Sequence, residues 1–344
     1  MRQKGLASSH VKRRQPRMSR RAVVPPSQAD LDEIRARCAE NAARAKPPDV
    51  PSEPTPPRRL APDRHPQQDF FIANLLDASP KDDHASMEHA LYSLSKNRDT
   101  AVRKYDRITV LPGPMGRATV WDKDILLFAI AQLVTAQDAG EKISRTLRVQ
   151  ARDLLVFCNR GTGGRDYELL SAALTRLAGT RIQTDIATGR KRIRSDFGLV
   201  ESWRYTQEDR DGVDGLLEIT VSEWIFNAIL ATEVLTISRD YFRLRGGLER
   251  RLYSIARKHC GYQPSWEIGL ARLHEKSGAT SSLRRFRFDV NAIAKSSVLP
   301  DYEIRVDAEH DKVIFFPRDG GTSLRDRLAE AERRGLRTLE SMLG

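Results

Sequence analysis

The chain has 344 residues, 40% of them hydrophobic, which is enough for two domains of ordinary size, each with its own core. No window approaches the roughly 18 uncharged apolar positions of a membrane span, and no apolar run follows the basic start. A soluble, cytoplasmic protein with no membrane role is therefore expected, and a net charge of +12 suits a polyanionic partner better than an acidic small substrate.

Residues 1–68 hold 15 lysines and arginines against 7 acidic residues, 11 of the 17 prolines, and almost no aromatic residue. Runs such as Lys46-Pro47-Pro48 and Pro54-Thr55-Pro56-Pro57 cannot build a core. The stretch reads as a disordered basic arm, with room for a short amphipathic helix near 28–46. A non-specific DNA tether and a merely solvated tail are both open readings of it.

From residue 69 onward one order of elements occurs twice. In the first pass, 90–94 and 107–111 read as strands, and Asp122 is placed to cap a helix whose Ile125, Leu126, Ala129, Ile130 and Leu133 recur at helical spacing. A second helix spans about 149–159 and stops at the Gly161 to Gly164 turn. Asp166 can cap a third helix, which Gly179 ends. Strands at 181–186, 191–203 and 216–221 follow.

The second pass opens with a helix at 240–259, on which Tyr241, Leu244, Leu248, Leu252, Ile255 and His259 repeat at threes and fours. A helix at 267–276 ends at Gly278. Ser281 or Ser282 caps the next, with Leu283, Phe286, Val290 and Ile293 as its inward stripe and Pro300 beyond its end. Strands at 302–306 and 312–316 form a hairpin, and 324–343 reads as a charged amphipathic helix.

Helix, helix, turn, helix and strand hairpin is the order of a winged helix-turn-helix. The expected fold is α+β, mainly helical, with two tandem winged-helix domains at 69–225 and 226–318. The arm precedes them, and a C-terminal helix at 319–344 follows.

The helix starting at 283 carries the strongest binding signal. With its apolar stripe turned inward, the opposite face holds Arg284, Arg287, Asn291 and Lys295, with Arg285 beside them. Arginine forks onto guanine, asparagine onto adenine, and lysine reaches guanine or phosphate, so these side chains suit a DNA major groove. A solvated helix face is the plainer reading of the same charges. The matching helix of the first domain exposes Ser171, Thr175 and Arg176 and is far less basic. Around the first hairpin turn, Arg190, Lys191, Arg192 and Arg194 could straddle phosphates, or serve solubility alone.

Catalytic patterns are missing. Gly161-Thr162-Gly163-Gly164-Arg165 lacks the Gly-Lys-Ser/Thr of a phosphate loop, and the seven histidines form no His-x-His or His-Glu-x-x-His. Cys38, Cys158 and Cys260 are far apart and match neither a zinc site nor a disulfide framework. A DNA-binding protein with no metal and no cofactor is expected, rather than an enzyme. Two rivals stand beside a replication protein. One is a transcriptional repressor without a replication role. The other is a relaxase using Tyr167 or Tyr253, which the missing histidine pair counts against.

Three strings carry a family resemblance: residues 87–96 (MEHALYSLSK), 240–253 (DYFRLRGGLERRLY) and 285–290 (RFRFDV). Over about 69–318 the chain resembles the replication initiator protein A family of bacterial plasmids. The resemblance implies binding to repeated origin sites, or iterons, and opening of the duplex. It further implies recruitment of the host initiator and replicative helicase, and a homodimer, formed through the first domain, that represses its own promoter. By position, the family's second recognition helix falls on Arg284, Arg285, Arg287, Asn291 and Lys295.

Overall fold

The most apolar stretch of the sequence makes the central element. In the computed structural model of the protein, helix α2 (Lys123–Asp138) is buried on every side from Ile125 to Leu133, as expected of a helix without a polar face. The structure describes residues 60–65, 78–105, 108–188, 191–206 and 215–318, and of 185–188 and 191–194 the backbone alone. All of these belong to one compact unit, 55–344.

Around α2 the described chain runs β1 (Lys81–Asp83), α1 (His84–Glu88), β2 (Arg103–Tyr105) and β3 (Ile108–Leu111) before it. After it come β4 (Thr146–Gln150), α3 (Ala151–Phe157), α4 (Gly164–Gly179), β5 (Arg181–Thr188), β6 (Lys191–Gly198), β7 (Val200–Thr206) and β8 (Leu216–Val221). The remainder is α5 (Glu223–Leu230), β9 (Val234–Thr236), a 3-10 turn (Arg239–Arg243), α6 (Gly247–His259), β10 (Trp266–Gly269), α7 (Leu270–Ser277), α8 (Leu283–Ser296), β11 (Tyr302–Asp307) and β12 (Lys312–Pro317). The strands form antiparallel sheets in the orders β2-β3-β5-β6, β4-β8-β7, β1-β9 and β10-β12-β11. The fold is thus mixed α/β rather than mainly helical.

Several expected elements differ. Residues 90–94 are not a strand: Ser93 makes one isolated bridge to Thr119, and the apolar run is buried because it threads through the core. The strand expected at 191–203 divides at Leu199, where the chain leaves one sheet for another. The helix expected at 240–259 is broken, because Leu244 is extended and Gly246 caps α6. Gly247 then lies so close to Leu94 that a Cβ would fall 2.0 Å from its carbonyl oxygen. Residues 267–269, expected to open a helix, are strand, as are 149–150 at the end of β4, while β1, α1, β2, α5 and β9 carried no sequence expectation.

Two caps also change. Thr119 and Asp122 bond reciprocally, each side chain accepting the other's N–H at 3.3 and 2.8 Å, so α2 is capped a turn earlier than expected. Asp166 is the third residue of α4, and its carboxylate accepts the Gly163 N–H.

The expected disorder of the arm does not extend to residues 60–65. Ala61 exchanges hydrogen bonds with Arg243, and the Arg64 N–H donates to Asn159 Oδ1 at 2.7 Å. The rest of 1–68 and the 319–344 helix lie outside the described residues.

Buried arginines of α6 join the two ends of this unit. Arg250 meets the Asp124 carboxylate of α2, which also receives Arg160 at 3.2 Å, and it donates to the carbonyls of Leu244 and Phe242. Arg251 donates to the carbonyls of Ser86, Met87, Glu88 and Lys276, linking α1, α6 and α7. Burial pushes its guanidinium down to about 10, so it stays charged at neutral pH. Beside it, Glu88 receives Lys258 at 2.9 Å, His259 at 3.1 Å and Lys276.

Arg250→Ala should lower unfolding stability by about 3–5 kcal/mol in denaturant titration, since a buried carboxylate loses its closest partner. A loss under about 1 kcal/mol would contradict that role. Glu88, held far below the usual carboxylate range chiefly by the His259 bond, gives a pH test. Its depressed folded pKa means its contribution is present above the unfolded value of 4.5 and is lost as pH falls below it. The stability gap between wild type and Glu88→Gln should be full at pH 7 and shrink in acid; a gap independent of pH would show that the charge is irrelevant.

Candidate nucleic-acid interface

Helix α8 owes its placement to both of its ends and to one buried face. Before it, α7 ends at Gly278, which has a φ of +71° and packs so near Ala90 that a Cβ would lie 2.5 Å from the alanine's. The turn is held by His274, whose Nε2–H donates to Ser281 O at 2.7 Å while its ring meets Phe286 edge-on at 4.9 Å. Ser282 is the cap, its hydroxyl accepting the Arg285 N–H at 3.3 Å, so the second of the two expected serines does the work.

Phe286, Val290 and Ile293 are buried as expected. Leu283 is not: it is 36% exposed, because the first turn projects beyond the core. At the far end Ser297 turns left-handed, and Arg318, following β12, donates to its carbonyl and hydroxyl at 2.7 Å each. A guanidinium there also favours the negative end of the helix dipole.

On the outer face Arg284 and Lys295 are exposed and carry no ion pair among the described residues. Arg285 pairs with Asp289 at 3.0 Å and Arg287 with Asp311 at 2.8 Å, yet their side chains remain 64% and 48% exposed. Pairs this open are worth about 0–1 kcal/mol, so phosphate or base edges can replace the carboxylates. Asn291 is half-buried and donates to Arg287 O at 2.9 Å, which leaves its side-chain oxygen as an acceptor.

The β11–β12 turn is acidic, with Asp307, Glu309 and Asp311 around His310. Asp307 takes the N–H groups of Glu309 and His310 and the His310 ring. Its backbone bond to His310 holds the carboxyl below its ordinary value.

On α4, Ser171 is half-buried and its carbonyl accepts the hydroxyl of exposed Thr175 at 2.9 Å. Arg176 was expected to face outward and does not. It forks onto Asp122 at 2.7 and 2.8 Å with 23% of its side chain exposed, tying α4 to the start of α2. Arg190 lies outside the described residues. Lys191, Arg192 and Arg194 have backbone positions on β6 opposite Thr188, Ala187 and Asp185, and their side chains lie outside the description.

Tyr253, one of the two tyrosines of the relaxase reading, is fully buried, accepting the Ser238 N–H and donating to Asp301. Tyr167 packs against Tyr205 at 6.2 Å. No helix among the described residues is long and apolar enough to cross a membrane. The supporting roles of His274 and Arg318 were missed by sequence reasoning. Neither stands in a recognisable pattern, and Arg318 acts from more than twenty residues away.

Known proteins resemble this chain at two levels. Crystal structures of RctB domains 2 and 3 superpose with TM-scores of 0.47 and 0.45 at 14% and 13% identity, covering 66% and 74% of this chain and 94% and 100% of theirs. A protein named "Putative replication protein" from Wigglesworthia glossinidia brevipalpis is 36% identical over 259 residues, which is 73% of this chain and 94% of that one. The family described as replication initiator protein A matches residues 81–304, from the start of β1 into β11. With that span matched and a relative more than a third identical along nearly its whole length, the chain belongs to the replication initiator protein A family.

Proposed function

We propose that this replication initiator reads double-stranded DNA with α8 laid in the major groove. The observation that carries the reading is the exposed basic face of Arg284, Arg285, Arg287 and Lys295 on a helix whose opposite face is buried. Its setting supports the assignment: α6, α7, a glycine-ended turn, α8 and the β11–β12 hairpin follow the order of a winged helix-turn-helix. The run α2, α3, α4, β5–β6 repeats that order in the first half.

In this reading 69–225 and 226–318 are the two winged-helix domains. With Arg176 engaged by Asp122, α4 contributes at most Ser171 and Thr175 to DNA, and Arg190, Lys191, Arg192 and Arg194 bind phosphates. The acidic tip of the second hairpin argues that α8 itself, rather than that wing, provides most of the second domain's contacts. The protein acts in the cytoplasm as a cofactor-free binding protein. It binds repeated plasmid-origin sites, opens the duplex, recruits host initiator and helicase, and represses its own promoter as a homodimer. These further steps follow family resemblance.

Arg284→Ala and Arg287→Ala should each cost about 1–3 kcal/mol in a mobility-shift assay on origin DNA and relax its specificity. Unchanged binding would refute the placement of α8. Arg192→Ala and Arg194→Ala should instead weaken binding to all sequences and flatten the salt slope by about one unit per lost phosphate contact. A plasmid carrying this gene and its flanking DNA should replicate in a cured host, and the Arg284→Ala, Arg287→Ala double variant should fail there.

A further inference from the structure

Phe288 stands in the middle of the basic face of α8, where nothing in the fold requires an aromatic ring. At 64% exposure it is the most exposed large apolar side chain among the described residues. It falls four residues after Arg284, three after Arg285 and three before Asn291, so all four share one side of the helix. The Arg285 guanidinium lies 5.1 Å over the ring centroid and is held at 3.0 Å by Asp289. One face of the ring therefore positions a cation, and the rest is open to solvent.

An isolated ring among arginines does not match an apolar protein patch. Leu283, the other exposed apolar residue of α8, lies five positions away, about 140° round the helix. The ring does match a groove walled by phosphates that contains one apolar group. Among the base edges of the major groove that group is the 5-methyl of thymine.

We propose that Phe288 is a specificity-determining residue that packs on a thymine methyl, beside the base or phosphate taken by Arg285. The proposal rests on the reading of α8 as the DNA-facing helix, and it adds a base identity that the charged residues alone do not fix. A methyl removed from water contributes about fourfold in binding.

The test uses the full-length chain and a duplex selected by it from a random-sequence pool, with each thymine replaced in turn by deoxyuridine. That change deletes the methyl and leaves base pairing intact. Wild type should lose about fourfold in affinity at one or two positions. Phe288→Ala should bind the thymine duplex more weakly and lose nothing further on replacement, and Phe288→Leu should keep part of the penalty. Both variants should retain the wild-type thermal melt, since the ring is exposed.

The proposal is overturned if no deoxyuridine costs wild type anything, or if Phe288→Ala pays the same penalty at the same position. A loss of self-association by Phe288→Ala with that penalty intact would likewise overturn it, assigning the ring to a protein contact. Failure of the underlying reading looks different: Arg284→Ala and Arg287→Ala would then leave binding unchanged.

Discussion

Phe286, Val290 and Ile293 recur at steps of four and three along α8, and their burial decides where each charged residue of that helix points. A helix with three buried positions on one side cannot rotate by even one residue without exposing them. Arg284, Arg285, Arg287 and Lys295 are consequently fixed outward, and only Arg285 and Arg287 among them add an ion pair, each on the surface. The two exposed ion pairs are too weak to set the orientation, and can be given up when a polyanion arrives. Apolar packing holds the helix, which leaves its charged face open to the DNA proposed as its ligand.

The helix is held in turn by a frame of buried charges. Arg251 hydrogen-bonds carbonyls at the end of α1 and at the end of α7, directly ahead of the turn that leads into α8. Arg250 ties the same helix to Asp124 on α2. Buried ion pairs of this kind seldom add net stability over an apolar core, but breaking one is costly. Their directional bonds tie α6 to one carboxylate of α2. The order of the frame, α2 to α6 to α7 to α8, is how the first half of the chain sets the orientation of the basic face.

The sequence made some of this legible for definite reasons. Helix α8 has an unbroken apolar stripe, a serine cap and a glycine-ended predecessor, so periodicity and capping agree. The hairpin at 302–317 reads as strands because β11 alternates apolar and polar residues and a polar turn separates it from the apolar, β-branched and aromatic run of β12. The segment 240–259 misled because Tyr241, Leu244, Leu248 and Leu252 keep helical spacing across a break, and the break is visible only if Gly246-Gly247 outweighs that pattern. Arg176 looked solvent-facing because its partner Asp122 is 54 residues away, and long-range pairing leaves no local mark. Leu283 was assigned too simply, and Phe288 drew no reading at all: a stripe gives the direction of the core but not how far the core extends or which outward residues are apolar.

Affinity cleavage can show whether α8 lies against the bases. A DNA-cutting iron chelate attached at Thr280→Cys sits on an exposed position just ahead of α8, in a chain with Cys38 replaced by serine; Cys158 and Cys260 are buried. If α8 enters the major groove, cuts should cluster within each recognised sequence, at one fixed offset repeated from site to site. Cuts only outside the footprint, or spread evenly along the duplex, would place α8 away from the bases.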